Sequence, residues 1–348
     1  MFQDITVDEW AVLRSNKELV LIDVRSPSEY RAATVPGSLN IPLFDDQERA
    51  EIGTLYKQVS VQAAKERGLE IVSAKLPSFI KQFSEINHKK AVFCWRGGMR
   101  SKTTATLLSL MGIHAYRLSG GYRAYRQWAV EQLQTIRFAP PAFVLHGHTG
   151  SGKTAILQGL KQKGHPILDI EGMAGHRGSI FGEIGLQAHN QKTFDSLLLN
   201  ELHANSSAPY VIFEAENRKV GKVTLPEVLM DKRASGYHIL IELPLEARVR
   251  QIIEDYRPWE HPEECMNAFK RIRARIHTPV AADIEFFLKN EQYDTAVELL
   301  LIHYYDPRYS HSSGLHQEII SSEVRASSVQ EALLAVEQIV GTVSGQSA

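Results

Sequence analysis

Residues 143–154 read FVLHGHTGSGKT, an apolar run followed by a glycine-rich turn that ends in lysine and threonine. The turn matches the pattern G-x-x-x-x-G-K-[S/T] at every fixed position. Glycines let the backbone curl so that successive N–H groups converge on phosphate oxygens at a helix N-terminus. The turn therefore predicts a phosphate-binding loop (P-loop). The apolar run before it and the helical pattern after it place this loop in an α/β domain.

The predicted diphosphate contacts all belong to this loop: Gly147, Thr149, Gly150, Ser151, Gly152, Lys153 and Thr154. Lys153 adds a point charge, and the Thr154 hydroxyl can ligate Mg²⁺. A di- or triphosphate suits the loop, but the chain has no guanine-reading N-K-x-D element and nothing that selects adenine. The loop alone therefore leaves the ligand open between a nucleotide and another diphosphate.

Carboxylates follow the next two strands predicted in the same domain. Asp169 and Glu171 stand at the end of the first strand, and Glu214 and Glu216 end the second. P-loop enzymes carry an acid in this region that assists a metal ion or a water molecule. These four acids are candidate pocket residues, and capping of the strand ends is the alternative interpretation.

A second candidate centre lies at Cys94. Residues 91–94 read as a buried strand, and the loop after them leads into a predicted helix. Backbone N–H groups, the helix N-terminus and nearby arginines would favour the thiolate, which is the nucleophilic form. We predict Cys94 as the catalytic nucleophile, in place of the buried apolar role usual for a lone cysteine. The predicted chalcogen- or anion-binding loop comprises Trp95, Arg96, Gly97, Gly98, Met99, Arg100 and Ser101.

The remaining pattern divides the chain into three regions. Short apolar runs alternate with helical stretches in the first third, which predicts a mainly parallel sheet. Strands are expected at residues 19–24, 91–94, 115–118, 143–146, 167–170, 210–214 and 237–243. Helices are expected at residues 77–86, 101–111, 122–135, 155–163, 263–276, 283–290, 293–304 and 329–340. With a boundary near Pro140-Pro141, we predict an α/β domain at 1–135, a P-loop α/β domain at 136–245 and a helical C-terminal region at 246–348.

Composition narrows the class of protein. A chain that is 43% hydrophobic and 23% charged is typical of a globular protein, and no apolar run approaches the roughly 18 residues of a membrane span. The N-terminus, MFQDITVDEW, carries acids where a signal peptide would carry bases. The two cysteines, Cys94 and Cys265, do not suggest a disulfide framework. We expect a cytoplasmic monomer without a membrane partner, in which Cys265 is structural.

Positive charge concentrates near Cys94. Residues 1–137 hold 19 Lys/Arg against 14 Asp/Glu, whereas residues 138–348 hold 20 against 26. A basic segment around a candidate active site indicates a polyanionic partner, and a solvated basic face is the alternative. The predicted contacts with a nucleic acid lie in this segment and in a second basic patch: Lys102, Arg123, Arg126, Lys270, Arg271, Arg273 and Arg275.

The first third resembles rhodanese-like domains. Residues 21–30 (LIDVRSPSEY), 35–42 (VPGSLNIP) and 118–125 (LSGGYRAY) are similar to the signatures of that fold. The resemblance implies a structural ion pair between Asp23 and Arg25. The spacing from Cys94 to Arg100 is one residue longer than in common rhodaneses and matches the rhodanese-fold dual-specificity phosphatases. Those phosphatases carry His where this chain has Phe93.

Four motifs in order extend the resemblance to the whole chain: CWRGGMRS at 94–101, GHTGSGKT at 147–154, EGMAGHRGSIFG at 171–182 and EAENRKVG at 214–221. With them the chain is similar to the bacterial tRNA 2-selenouridine synthases. The resemblance implies a rhodanese-like domain followed by a P-loop NTPase-like domain. It also implies geranylation of the sulfur of wobble 2-thiouridine in tRNA, from geranyl diphosphate, and replacement of that sulfur by selenium from selenophosphate.

The resemblance also implies residue roles. Cys94 would carry or deliver selenium, and the P-loop would hold the diphosphate leaving group. The pocket would be completed by Glu171, His176, Arg177, Gly178, Glu214, Glu216 and Arg218. We expect no tightly bound cofactor, and Mg²⁺ at Thr154 is the one metal considered. The alternatives are a sulfurtransferase or phosphatase with a regulatory P-loop module, and a non-catalytic RNA-binding NTPase.

Overall fold

The computed structural model describes residues 2–15, 19–308 and 320–345. The chain divides into two compact units. The N-terminal unit comprises Met1–Thr135 and Asp195–Leu197, and the C-terminal unit comprises Ile136–Phe194 and Leu198–Ala348.

A parallel sheet forms the centre of the N-terminal unit. Its strands are β1 (Gln3–Ile5), β2 (Leu19–Asp23), β3 (Leu39–Asn40), β4 (Lys89–Phe93) and β5 (Ala115–Leu118). Their order across the sheet is β1-β5-β4-β2-β3, and every pair is parallel. The helices are α1 (Val7–Ser15), α2 (Pro27–Ala32), α3 (Asp46–Gln58), α4 (Val61–Ser84), α5 (Met99–Leu110) and α6 (Gly121–Thr135).

Strands β2 and β4 contain the apolar runs LVLI (19–22) and AVF (91–93), because both faces of this sheet are covered. Ile22 and Val92 are fully buried and share a core with Phe83 and Leu108 of the surrounding helices. The predicted strands and the α5 and α6 helices are confirmed within two residues at each end. The helix predicted at 77–86 is the end of α4, which begins sixteen residues earlier, at Val61.

The C-terminal unit contains a second parallel sheet. Its strands are β6 (Ala142–Gly147), β7 (Ile167–Leu168), β8 (Val211–Glu214), β11 (Tyr237–Glu242) and β12 (Ser322–Arg325), in the order β12-β11-β6-β8-β7. An antiparallel pair, β9 (Lys219–Val220) and β10 (Val223–Thr224), lies apart from it. The helices before the turn at 301–305 are α7 (Lys153–Gln162), α8 (Ile170–Ala174), α9 (Gln191–Ala204), α10 (Glu227–Ser235), α11 (Leu245–Tyr256), α12 (Pro262–Ile272), α13 (Thr278–Lys289) and α14 (Tyr293–Leu300). A 3₁₀ turn, Arg273–Arg275, follows α12, a π-helical turn, Leu301–Tyr305, follows α14, and α15 (Val329–Ser344) ends the described chain.

The mainly helical C-terminal region contains a strand that the sequence analysis missed. β12 pairs in parallel with β11 and adds an edge to the P-loop sheet. Of its four residues only Val324 is buried, so the apolar pattern that predicts a strand is absent. Helix α15 packs on the same core, where a Cβ on Gly159 of α7 would meet Leu333 at 2.1 Å. Strand β12 and helix α15 therefore belong to the P-loop unit.

We find no helix in residues 2–15, 19–308 and 320–345 that is long and apolar enough to cross a membrane.

Candidate functional site

Cys94 lies at the carboxyl end of β4, at the base of the predicted loop. The residue is only 3% exposed, and its Sγ lies 3.2 Å from Ser101 Oγ, at the start of α5. The backbone N–H groups of Tyr122 and Arg123 donate to the carbonyls of Cys94 and Trp95, at 2.9 and 3.0 Å. The thiol therefore lies at the base of the loop, where Ser101 contacts the sulfur and the start of α6 hydrogen-bonds to the loop backbone.

Glycines allow the Cys94 loop to pack closely against the segment LSGG at 118–121. A Cβ on Gly121 would lie 2.2 Å from the Cys94 carbonyl oxygen and 2.5 Å from the Gly97 nitrogen. Gly97 and Gly121 both have positive φ, at 64° and 59°, which side-chain-bearing residues rarely adopt. Only glycine fits at 121, so the segment LSGG packs directly against the cysteine loop. Trp95 and Met99 are the apolar side chains that this loop exposes, at 36% and 54%.

A buried ion pair supports the Cys94 loop. Asp23 and Arg25 are 0% and 2% exposed, and Arg25 Nη2 donates to Asp23 Oδ2 at 2.6 Å. The Arg25 guanidinium also lies 4.4 Å from the centre of the Tyr122 ring. The ion pair that the rhodanese resemblance implied is therefore present. Both charged groups of this pair find their partners inside the protein, so the pair has a structural role.

Arg100, predicted to belong to the anion-binding loop, is paired with a carboxylate. Its guanidinium makes a bidentate ion pair with Glu29, with Nη2 at 3.0 Å from Oε1. Burial is the largest single influence on Glu29 and raises its pKa. The hydrogen bonds and charge of Arg100, together with the Ser26 N–H and the charge of Arg49, outweigh it, and the pKa of Glu29 lies below its usual value. Arg117, which the sequence analysis did not select, donates to the Gly97 carbonyl at 3.0 Å and is balanced by Asp4. Arg96 is exposed.

The P-loop has the geometry that its glycines predicted. Gly147, Gly150 and Gly152 all have positive φ. A Cβ on Gly147 would lie 2.4 Å from Ser151 Oγ, so the turn closes tightly on itself. Lys153 Nζ donates to the Gly147 carbonyl at 3.1 Å, which holds the ammonium group over the loop. The loop leads directly into α7, whose N-terminus favours an anion.

Three carboxyl groups lie close together, and one of them contacts the start of α7. Thr154 Oγ1 donates to Glu171 Oε2 at 2.9 Å, and the Glu171 N–H donates to Glu214 Oε1 at 2.8 Å. A Cβ on Gly178 would lie 2.8 Å from Glu216 Oε2 and 2.9 Å from Glu171 Oε1. Burial and the neighbouring Glu216 raise the pKa of Glu171 to about 7, and burial raises the pKa of Glu214 well above its usual value. Glu171, Gly178, Glu214 and Glu216 therefore form one site beside Lys153.

Two of the other acid and base candidates have structural partners. Asp169 caps α8, since its Oδ1 accepts from the Gly172 N–H at 2.7 Å and its Oδ2 accepts from Gln158 at 2.6 Å. Arg177 donates to the carbonyls of Ile184 and Asp255 and stacks on the Tyr256 ring at 4.7 Å. Both side chains therefore have structural partners, and their role in the pocket stays a prediction.

His176 and Arg218, two further pocket candidates, have different surroundings. His176 is buried between two glycines, because a Cβ on Gly221 or Gly182 would meet its ring at 2.6 or 2.8 Å. Burial lowers the pKa of His176. Arg218 is 63% exposed and pairs with Glu227 at 2.9 Å. His176 therefore joins two loops, and Arg218 lies on the surface.

An apolar pocket adjoins the P-loop, and sequence reasoning did not find it. Thr149 of the P-loop lines it together with side chains from α11 to α14, and its empty space is about 550 Å³, which includes space open to solvent. The lining also includes Ser179, Phe181, Ile184, Ile252, Ile253, Tyr256, Pro258, Cys265, Leu288, Tyr293, Val297, Leu300, Leu301 and Tyr305. Burial raises the pKa of Cys265 to about 11, which agrees with the unreactive thiol predicted there. The amphipathic helices were predicted, but their periodicity does not distinguish a pocket wall from a filled core.

The basic candidates fall into exposed and engaged groups. Lys102 and Arg123 are exposed, whereas the Arg126 side chain is only 20% exposed. Lys270 and Arg275 are exposed near the end of α12. In the same patch Arg271 donates to the Ile180 carbonyl at 3.1 Å, and Arg273 pairs with Glu285 at 3.1 Å. Each patch keeps cations at its surface, as the predicted nucleic-acid contacts require.

Comparisons with known proteins match both units. Residues 140–339 match the family model of the tRNA 2-selenouridine synthase AAA domain, and residues 6–127 match the rhodanese-like domain. A tRNA 2-selenouridine synthase from Nitrosomonas europaea is 36% identical over 73% of this chain and 67% of its own. One from Shewanella halifaxensis is 31% identical over 84% and 88%. A rhodanese-related protein from Thermoplasma volcanium, of known structure, is 22% identical over 36% of this chain and 93% of its own, with a TM-score of 0.23, which adds nothing to the assignment.

Proposed function

The chain belongs to the tRNA 2-selenouridine synthase family, and from that premise we propose that it alkylates and then selenates a 2-thiouridine of tRNA. It is a tRNA-modifying transferase. The observation that carries the proposal is the apolar pocket beside the P-loop, with Thr149 belonging to both. An anion cradle next to an apolar pocket fits a diphosphate that carries a hydrocarbon chain. A nucleotide would bring a polar sugar and base to the same place.

In the first step the sulfur of 2-thiouridine attacks C1 of geranyl diphosphate. The carbon–oxygen bond breaks, diphosphate departs and the base loses its N3 proton. Lys153 and the N–H groups of the P-loop stabilise the charge that develops on the leaving diphosphate. The geranyl chain lies in the apolar pocket, whose nonpolar walls also exclude water that would hydrolyse an allylic cation.

In the second step selenium from selenophosphate replaces the alkylated sulfur at C2, and a geranyl thiol leaves. Water completes the balance, since breaking the selenium–phosphorus bond releases phosphate. Alkylation turns a poorly leaving thiocarbonyl sulfur into a departing thiol. Cys94, at the floor of its glycine-rich loop, is the nucleophile through which the selenium is delivered. Its thiolate displaces the geranyl thiol at C2 and is then displaced by the selenium of selenophosphate, so no sulfur–selenium bond forms and no oxidant is needed.

The residues next to the P-loop fit Mg²⁺ as a partner of the diphosphate in the first step. The Thr154 hydroxyl lies next to Glu171, and Glu214 Oε2 is buried without a hydrogen-bond partner among the described residues. Mg²⁺ commonly uses one or two protein oxygens and completes its shell with phosphate and water. Thr154 and Glu214 would hold the ion, and its charge would neutralise the diphosphate.

The RNA partner is tRNA, bound in the cytoplasm through the exposed basic residues. Lys102 and Arg123 would contact phosphates near Cys94, and Lys270 and Arg275 would do so in the C-terminal unit. Contacts of this type predict binding that weakens steeply as salt increases.

Mass spectrometry of nucleosides tests the proposal. Purified protein is incubated with 2-thiouridine tRNA and geranyl diphosphate, with or without selenophosphate. We expect S-geranylated uridine without selenophosphate and 2-selenouridine with it. Absence of both products from an assay in which the protein binds the tRNA would overturn the proposal. Formation of thiocyanate from thiosulfate and cyanide, with no change to the RNA, would favour a sulfurtransferase.

A further inference from the structure

A buried arginine links the P-loop to the far side of the apolar pocket. Arg248 of α11 has a side chain that is 7% exposed, and its Nε donates to the Thr149 carbonyl at 2.9 Å. Its two Nη atoms donate to both carboxylate oxygens of Asp306, at 2.9 and 2.6 Å. His148 Nδ1 lies 3.3 Å from the same carboxylate. We call Arg248 and Asp306 the clamp.

The clamp joins three segments that also form the pocket wall. Thr149 comes from the P-loop, Ile252 and Ile253 come from α11, and Leu301 and Tyr305 come from the π-helical turn. Asp306 directly follows Tyr305 in the chain. π-helical turns are rare and occur often at functional sites. The residues that would contact a hydrocarbon chain and the residues that fix the P-loop therefore share the same backbone.

The P-loop also rests directly on α11. Gly150 has a φ of +83°, and a Cβ there would lie 2.8 Å from the Arg248 carbonyl oxygen and 2.8 Å from Ile252 Cδ1. Ile252 lines the pocket. A shift of α11 or of the π-helical turn, when the pocket empties or fills, would therefore reach the P-loop backbone by contact and through the clamp.

We propose that Arg248 and Asp306 are positioning residues that make diphosphate binding at the P-loop depend on occupancy of the apolar pocket. A hydrocarbon chain bound in the pocket holds α11 and the π-helical turn in place. The clamp then holds the Thr149 carbonyl and the P-loop in their diphosphate-binding form. Linkage is reciprocal, so the diphosphate strengthens binding of the chain by the same factor. The inference rests on the proposed function, because it assumes that the ligand carries both parts. Its consequence is selection against inorganic diphosphate and nucleotides.

Calorimetric titration of the full chain with inorganic diphosphate and with geranyl diphosphate tests the inference. The informative quantity is the ratio of the two dissociation constants. In the wild-type protein we expect geranyl diphosphate to bind at least about a hundredfold more tightly, because its apolar carbons are buried. In Asp306→Asn and Arg248→Lys we expect this ratio to fall on the order of tenfold. Lysine keeps the charge of Arg248 but cannot reproduce its planar set of donors.

Several outcomes separate the possibilities. If both ligands weaken equally in the variants, the clamp only holds the P-loop and the inference is wrong. If Arg248→Lys weakens inorganic diphosphate while Asp306→Asn leaves both ligands unchanged, Arg248 binds phosphate directly and the inference is again wrong. A wild-type ratio near one would instead remove the proposed function.

Folding and specificity need their own controls. The double variant should lose no more of the ratio than either single variant, since partners in one network are not additive. Arg325→Gln is the matched control, because Arg325 is 75% exposed and pairs with Glu323 at 2.9 Å in the same unit. We expect its ratio to equal that of the wild type. Thermal unfolding of each variant identifies those that remain folded. If Arg248→Lys does not fold, the nearly isosteric Asp306→Asn decides the test.

Discussion

The Cys94 loop and the P-loop follow the same local plan, since each begins at the carboxyl end of a parallel strand and leads into a helix. Their surroundings differ. Around Cys94 the cations Arg25, Arg100 and Arg117 are paired with carboxylates, and the thiol is 3% exposed. Around Lys153 the neighbouring acids are crowded together, and an apolar pocket opens beside the loop. The first loop is therefore suited to hold one small reactive atom, and the second to hold an extended ligand.

The largest effect should come from removing the thiol. In Cys94→Ala we expect 2-selenouridine to fall by at least about a thousandfold, because the thiol proposed as the nucleophile is removed. S-geranylated uridine should still form and should accumulate. The measurement is the ratio of the two nucleosides by mass spectrometry. Loss of geranylation to the same extent would show that the two loops do not divide the reaction.

The complementary variant tests the P-loop. In Lys153→Ala we expect the rate of geranylation to fall about a hundredfold to a thousandfold, since an oriented donor to the leaving group is lost. Selenation of tRNA that was geranylated beforehand should be nearly unchanged. Lys161→Ala, an exposed lysine on the same helix, serves as the control. A variant that fails on both substrates would contradict separate roles for the two regions.

The pocket can be tested without touching the P-loop. Val297 lines the pocket from α14 and is half-buried, so Val297→Trp should fill space there at a modest cost in stability. We expect the KM for geranyl diphosphate to rise about tenfold, while the affinity for inorganic diphosphate stays within twofold. Leu334→Trp is the control, since Leu334 is 51% exposed on α15 and outside the pocket lining. An unchanged KM in Val297→Trp would show that the hydrocarbon chain does not bind in this pocket.

The two regions also differ in what the sequence could predict. Both loops were found from their residues, because glycines and a helix start must occur at fixed spacings. The pairing of Arg100 with Glu29 was not, since the two residues are distant in sequence and meet only in the fold. The acids Asp169 and Glu171 are two residues apart and look equivalent in sequence, yet the first caps a helix and the second faces Thr154. The apolar pocket depends on how four helices pack, which periodicity does not encode.

The same limit explains strand β12 and the clamp. SEVR at 322–325 carries one buried side chain, and its place at the sheet edge follows from pairing with β11. Arg248 and Asp306 are separated by most of the C-terminal helices, so neither residue stands out in sequence. Local motifs therefore locate the chemistry, and contacts between distant segments determine which neighbours take part.

The smallest effect concerns the charge balance at the Cys94 loop. Glu29 and Arg100 have side chains that are 26% and 15% exposed, so we expect Glu29→Gln to lower the free energy of unfolding at pH 7 by about 1–2 kcal/mol. Glu51→Gln is the control, because Glu51 and its partner Arg67 are 45% and 43% exposed and such pairs contribute little.

The pH dependence of this effect has a definite sign. The pKa of Glu29 is lowered in the folded protein, so its contribution is present above the unfolded pKa of about 4.3 and is lost as the pH falls through the folded value. Wild type and Glu29→Gln should therefore differ in urea unfolding at pH 7 and converge as the pH falls below about 4. A difference that stays constant down to pH 3 would mean that Glu29 stabilises the loop by packing. The pairing with Arg100 would then not explain why this loop has balanced charge while the P-loop does not.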